Sequence, residues 1–209
     1  GEYLVASKTA VVSPVNMNIL YLEVDNPLSC SVPGYTPGEI SAVIDNGKMS
    51  ATKKSLGEYS ARPSKKGKAV VTLFAANADG KRSRMGTVDF RVKEVPPPKA
   101  SVMFTTNVNG KMLIDKMKMV NAGGIDAELK DFDFKGIYYQ VTSFHLSGMY
   151  KGEQQHQDAK GPAFNKAMLG IIKNTKSGNT ITISMIKAKR TDTKNTAERD
   201  LDPIVLTIK

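Results

Sequence analysis

The stretch Phe90-Arg91-Val92-Lys93-Glu94-Val95-Pro96-Pro97-Pro98-Lys99 constrains this chain more than any other. It opens with the alternation of a strand, Phe90 and Val92 on one face and Arg91 and Lys93 on the other. Three consecutive prolines then remove the N–H groups that a sheet ladder needs and fix φ, so strand pairing has to stop. A proline run favours the extended polyproline II form and behaves as a semi-rigid spacer. The expected layout is a first module over 1–95, a proline linker over 96–99 and a second module over 100–209. The alternative is a loop inside one larger domain.

A chain of 209 residues fits one large or two ordinary domains, and 40% apolar content without Trp suits two thin cores. In the first module, runs such as Ile40–Ile44 and Gly67–Ala75 alternate with turn signals, giving about seven short strands. That pattern predicts an immunoglobulin-like β-sandwich. Residues 1–10 are a candidate last strand of a preceding domain. Val24-Asp25-Asn26-Pro27 reads as a turn, and Asp45-Asn46-Gly47 as a hairpin joining Ile40–Ile44 to Lys48–Ala51. Cys30 alternates inward with Leu28 and Val32 and reads as a small buried hydrophobe.

The second module is expected to be β-rich. Asn107-Val108-Asn109-Gly110 predicts a hairpin, Ile125–Phe134 and Ile137–Ser147 read as strands, and so do Thr180–Ile186 and Ile204–Ile208. Ala163, Phe164, Ala167, Met168, Ile171 and Ile172 recur at helical spacing, which predicts one helix near 162–173 with Pro162 at its start. Residues 151–160 and 187–200 read as polar connecting loops. The fold class is therefore mainly β: two tandem β-sandwich-like domains, the second with one short helix.

The net charge is +10, from 30 basic and 20 acidic side chains, and it is spread over both halves. The basic clusters lie in turns without interleaved aromatics, which argues against nucleic acid and for acidic protein partners. One cysteine excludes an intrachain disulfide framework and a Cys-rich zinc site. His145 and His156 have no local ligand partners, and Asp131 and Asp133 read as a solvated strand face opposite Phe132 and Phe134. No catalytic, cofactor or metal motif is present, so an enzyme is not expected. There is neither a signal peptide nor an apolar run near 18 residues. The abrupt start on Gly1-Glu2-Tyr3-Leu4-Val5-Ala6 reads as that of a fragment, with any export or membrane segment upstream.

Several segments resemble the GldM/PorM family, PorM most of all. They are Met17-Asn18-Ile19-Leu20-Tyr21, Val24-Asp25-Asn26-Pro27, Ser31-Val32-Pro33-Gly34, Ala127-Glu128-Leu129-Lys130-Asp131-Phe132-Asp133-Phe134, Val141-Thr142-Ser143-Phe144 and Arg199-Asp200-Leu201-Asp202-Pro203-Ile204. Phe90-Arg91-Val92-Lys93 running into prolines adds to them, and together they span almost the whole chain.

The resemblance implies the last two domains of a homodimeric periplasmic arm of the type IX secretion and gliding motor. It further implies an inner-membrane anchor and PorL/GldL contacts in the missing N-terminal part, and a distal contact with the outer-membrane-associated PorK/GldK and PorN/GldN ring. Under that reading the candidate partner-binding residues are Gln154, Gln155 and His156 in one loop, and Lys187, Lys189, Arg190 and Lys194 in the other. The competing reading is a tandem β-module adhesin or carbohydrate- or protein-binding protein, which would need an exposed aromatic platform.

Overall fold

The computed structural model describes residues 17–52, 56–76, 79–194 and 197–209. The chain divides into two compact units, Gly1–Val95 and Pro96–Lys209. The candidate strand at residues 1–10 lies outside the described residues.

The first unit has seven strands among its described residues: β1 (Ile19–Tyr21), β2 (Asn26–Ser29), β3 (Ile40–Ile44), β4 (Lys48–Ala51), β5 (Glu58–Arg62), β6 (Gly67–Ala76) and β7 (Arg82–Lys93). They form a four-stranded sheet, β1-β7-β6-β3, and a three-stranded sheet, β2-β5-β4. β1 runs parallel to β7, and the other pairs are antiparallel. Leu20, Ala61, Ala69 and Val92 form one buried cluster and Ala42, Tyr59 and Val71 another, each drawing on both sheets. The sheets therefore pack face to face as an immunoglobulin-like sandwich. The buried Tyr59 on β5 donates its hydroxyl to the Ile40 carbonyl on β3 at 2.7 Å, tying one sheet to the other. Cys30 is half-buried against the Tyr59 cluster, and burial raises its thiol pKa, as expected of a packing residue. β7 ends at Lys93, before the prolines.

Two turn readings differ from the structure. Asn26 is not in a turn but opens β2, with the turn just before it at 22–24. Its buried amide nitrogen shares its two N–H groups among the carbonyls of Tyr21 (2.9 Å), Val24 (2.8 Å) and Ala61 (3.0 Å), and its oxygen accepts from the Tyr21 N–H (2.8 Å). One side chain thus joins β1, the turn, β2 and β5. Pro27 is tolerated because β2 lies at the edge of its sheet.

Asp45-Asn46-Gly47 does not close a hairpin. β3 pairs with β6 while β4 pairs with β5, so the chain crosses from one sheet to the other. The Asn46 amide reaches the 64–68 segment instead, donating to the Lys65 and Lys68 carbonyls at 2.8 and 3.0 Å. Gly47 adopts φ +115°, and a Cβ there would sit 2.2 Å from the Arg62 carbonyl oxygen, so only glycine makes this corner.

The second unit holds β8 (Lys99–Ser101), β9 (Thr106–Val108), β10 (Lys111–Ile114), α1 (Lys116–Ala122), β11 (Asp126–Glu128), β12 (Tyr139–Tyr150), β13 (Glu153–Lys160), α2 (Lys166–Asn174), β14 (Thr180–Arg190), β15 (Glu198–Leu201) and β16 (Ile204–Ile208). The main sheet runs β13-β12-β14-β16-β10-β9, with β15 beside β14, and β8 and β11 pair separately. Phe144 and Leu146 of β12, Ile181, Ile183 and Ile186 of β14 and Leu206 of β16 share one buried cluster with Met119 of α1 and Met168, Ile171 and Ile172 of α2. Phe144 meets Phe164 edge to face, with ring centroids 5.9 Å apart.

The expected hairpin at Asn107–Gly110 is present, with Asn109 and Gly110 both at positive φ between β9 and β10. The predicted helix starts later than Pro162. Gly124 and Ala163 form a β-bridge, the Pro162 carbonyl accepts the Ile125 N–H at 2.9 Å, and Asn165 caps the helix through the Met168 N–H at 2.9 Å. A second helix, α1, accompanies it, capped by Asp115 at one end and by left-handed Gly123 at the other. The expected strand over 125–134 stops at Glu128. Beyond it no partner strand is in register, and Phe132 and Phe134 are half-buried rather than buried, stacked on each other at 5.2 Å.

Asn26→Ala removes the amide that satisfies the buried Ala61 and Val24 carbonyls. We expect it to destabilise the first unit by about 2–3 kcal/mol, read as a lower denaturation midpoint with an unchanged slope.

Candidate docking surface

Strand alternation in the second unit sorts side chains onto two faces. The inward residues of β12 and β14 meet α1 and α2. The outward ones line up across three strands through the register Ser147↔His156, His145↔Asp158 and Ser143↔Lys160 on one side, and Ser147↔Thr182, His145↔Ser184 and Ser143↔Lys187 on the other. The result is a polar face of short hydroxyl side chains with a basic margin.

Both segments read as loops turn out to be largely strands. Residues 153–160 form β13, an edge strand paired along its whole length with β12. Its sequence, Glu-Gln-Gln-His-Gln-Asp-Ala-Lys, carries little strand propensity, and cross-strand pairing overrides this. Gln154 and His156 point to the open face. Gln155 points to the opposite side and sits opposite Gly148, so the three residues do not form one surface. The Asn165 amide donates to the Asp158 carbonyl at 3.0 Å and covers part of the strand's outer edge.

The expected 187–200 loop is also mostly paired. β14 continues to Arg190, and β15 returns beside it with Glu198 opposite Lys189 and Asp200 opposite Lys187. Opposite charges across the ladder favour this register. Among the described residues of this segment, 191–194 and 197 lie outside the strands, and Lys194 is exposed.

Lys187 and Lys189 face outward. Arg190 faces inward, is only 8% exposed and ion-pairs with Asp192 through both guanidinium edges. Arg190 is therefore not an exposed contact residue. Asp192 Oδ1 also accepts the Tyr138 N–H at 3.3 Å, so this pair fixes where β12 begins. Burial alone would raise the Asp192 carboxyl, but the hydrogen bonds from Arg190 and Tyr138 and the guanidinium charge outweigh it and hold the pKa below the ordinary carboxylate value.

His145 and His156 do find partners, across strands rather than along the sequence. The His145 Nδ1 lies 2.7 Å from Asp158 Oδ1, and the two imidazoles are 5.4 Å apart. Among the described residues no group of three or more His, Cys, Asp or Glu side chains could hold a metal. Lys160, which sequence reasoning missed, extends the basic margin: the row Lys160–Ser143–Lys187 crosses three strands. Its signal is visible only once β13 is paired, because Lys160 and Lys187 are far apart in sequence. In the first unit Arg62, Lys66 and Lys68 are drawn into exposed ion pairs with Asp25, Glu94 and Asp89.

The fold and the surface together define a tandem β-domain protein with an open, charged sheet face. Its family follows from two matches. Residues 9–93 match the GldM third domain and residues 96–209 the GldM C-terminal domain. The chain belongs to the GldM family, whose members are components of type IX secretion and gliding motility. No curated protein matches it. Among solved structures, one described as Clostridium thermocellum CbhA fibronectin(III)-like modules is 14% identical, over 92% of this chain and 89% of that one, with a TM-score of 0.28. So low a superposition score carries no argument about fold.

Arg190→Ala leaves the half-buried Asp192 without its cation. We expect a loss of roughly 2 kcal/mol, whereas Lys187→Ala and Lys189→Ala should stay within about 0.5 kcal/mol. Because the Asp192 pKa is depressed on folding, its contribution is present above the unfolded value and lost as pH falls through the folded one. Melting curves below about pH 4 should therefore show an acid-induced loss in the parent chain that is smaller in the Arg190→Ala variant.

Proposed function

We propose that the chain is the distal part of a homodimeric periplasmic arm and that it is not an enzyme. The arm couples the inner-membrane motor to the PorK/GldK and PorN/GldN ring at the outer membrane. The motor partner PorL/GldL and the membrane anchor belong to an upstream part of the protein. The two units act as separate domains joined through the proline run.

The observation that carries the ring contact is the basic row on the open face of the second sheet. Lys160 of β13 and Lys187 and Lys189 of β14 project from the two strands that flank β12, on a face that no helix covers among the described residues. Exposed lysines of this kind contribute little to folding and much to the rate at which an acidic partner is captured. Gln154 and His156 continue the same face toward the sheet edge, and Lys194 lies in the turn beyond β14. The family membership supplies the setting, and the face supplies the chemistry.

The triple variant Lys160→Glu/Lys187→Glu/Lys189→Glu should associate with the PorK–PorN ring about tenfold more slowly and lose most of its dependence on ionic strength. Its melting temperature should stay close to that of the parent. Unchanged association kinetics in that variant would place the ring contact elsewhere.

A further inference from the structure

The irregular segment between β11 and β12 builds a groove of about 400 Å³, within the size range of small recognition sites. Phe132, Phe134, Tyr138 and Tyr139 line it together with aliphatic side chains, and Asp126 and Glu128 from β11 stand at its margin. The Phe132 and Phe134 rings are stacked, 29° from parallel. Tyr138 is 66% exposed, yet its backbone is fixed on both sides. Its N–H reaches Asp192 at 3.3 Å, and its carbonyl accepts the Thr191 N–H at 3.0 Å. A large aromatic ring is thus held toward solvent by the backbone bonds of Tyr138 to Asp192, the partner of Arg190, and to Thr191.

The charge at this groove is opposite to that of the chain. The protein carries +10 overall. The charged side chains that line the groove are both acidic, Asp126 and Glu128, and like Asp131 and Asp133 of the same segment they form no ion pair among the described residues. Lys99 stands opposite Glu128 in the β8–β11 register without joining it. Aromatic faces beside carboxylates favour a cation with an apolar stem. The rings attract the charge through their quadrupoles, and the carboxylates accept its N–H groups. Arginine suits this best, since its planar guanidinium can stack and hydrogen-bond at once.

We propose that this groove docks an extended segment of a protein partner that presents an arginine between apolar residues. It is a second contact, distinct from the basic sheet face, and takes a partner surface of the opposite charge. The two contacts are separable, because the groove uses β11 and residues 129–139 while the basic row uses β12, β13 and β14 beyond them.

The test is a ¹H–¹⁵N NMR titration of the 209-residue chain with capped Leu-Arg-Leu, Leu-Gln-Leu and Leu-Glu-Leu peptides and with an oligosaccharide of N-acetylglucosamine. The expected result is saturable shifts at Phe132, Phe134 and Tyr138 with the arginine peptide, at least about fivefold tighter than with the glutamine peptide. Glu128→Gln and Tyr138→Ala, both at exposed positions, should each weaken arginine-peptide binding while leaving other resonances in place. The lysine triple variant should bind the peptide as the parent does, which separates this contact from the ring contact. Equal binding of all three peptides, preferential binding of the oligosaccharide, or no shifts at the groove would each overturn the proposal.

Discussion

The second unit depends on how closely α2 can approach β12. A Cβ on Gly148 would lie 2.9 Å from the Ile171 side chain and 3.3 Å from that of Ile181, so glycine lets helix and sheet meet there. Thr175, fully buried at the end of α2, donates to the Ile171 and Met149 carbonyls and pins the helix end to the same strand. With that face closed by Met168, Ile171 and Ile172, the alternation of β12 and β14 sends every other side chain to the opposite face. The polar open face follows from the covered one, because a one-residue slip would exchange them.

Charge is arranged on this frame with some economy. Lys187 and Lys189 face acidic residues of β15 across the ladder, and Lys160 lies across from Ser143. Arg190, the one buried basic side chain among the described residues, meets a carboxylate that also holds the start of β12. The Arg190–Asp192 pair thereby also fixes the backbone of Tyr138, whose side chain lines the groove beside β11. The first unit solves a comparable problem without charge: the Asn26 amide satisfies carbonyls from β1, the following turn and β5.

Much of the architecture was legible where local chemistry and tertiary pairing agree. The Asn109-Gly110 hairpin, the strand at Ile204–Ile208 and the strand stop before Pro96 follow from positive φ, alternation and missing N–H groups. The failures share a cause, which is that pairing partners lie far away in sequence. β13 is too polar to announce itself, and it forms because Tyr150-Lys151-Gly152-Glu153 turns it back onto β12. Phe132 and Phe134 alternate as in a strand but have no partner in register. Asn46-Gly47 has hairpin chemistry but is used for a crossing between sheets. For the same reason the candidate site was only partly visible. Lys187, Lys189 and Lys194 remained surface residues, Arg190 and Gln155 did not share their face, and Lys160 came to them only through the sheet.

We propose that the covered face of the second sheet is structural and that the open face is where the ring docks. Hydrogen–deuterium exchange of the chain with and without the assembled PorK–PorN ring tests it most directly. Slower exchange on ring binding at the outward amides of β13 and at residues 191–194, with α2 unchanged, is the expected result. Protection confined to the first unit or to α2, with β13 exchanging as before, would contradict it.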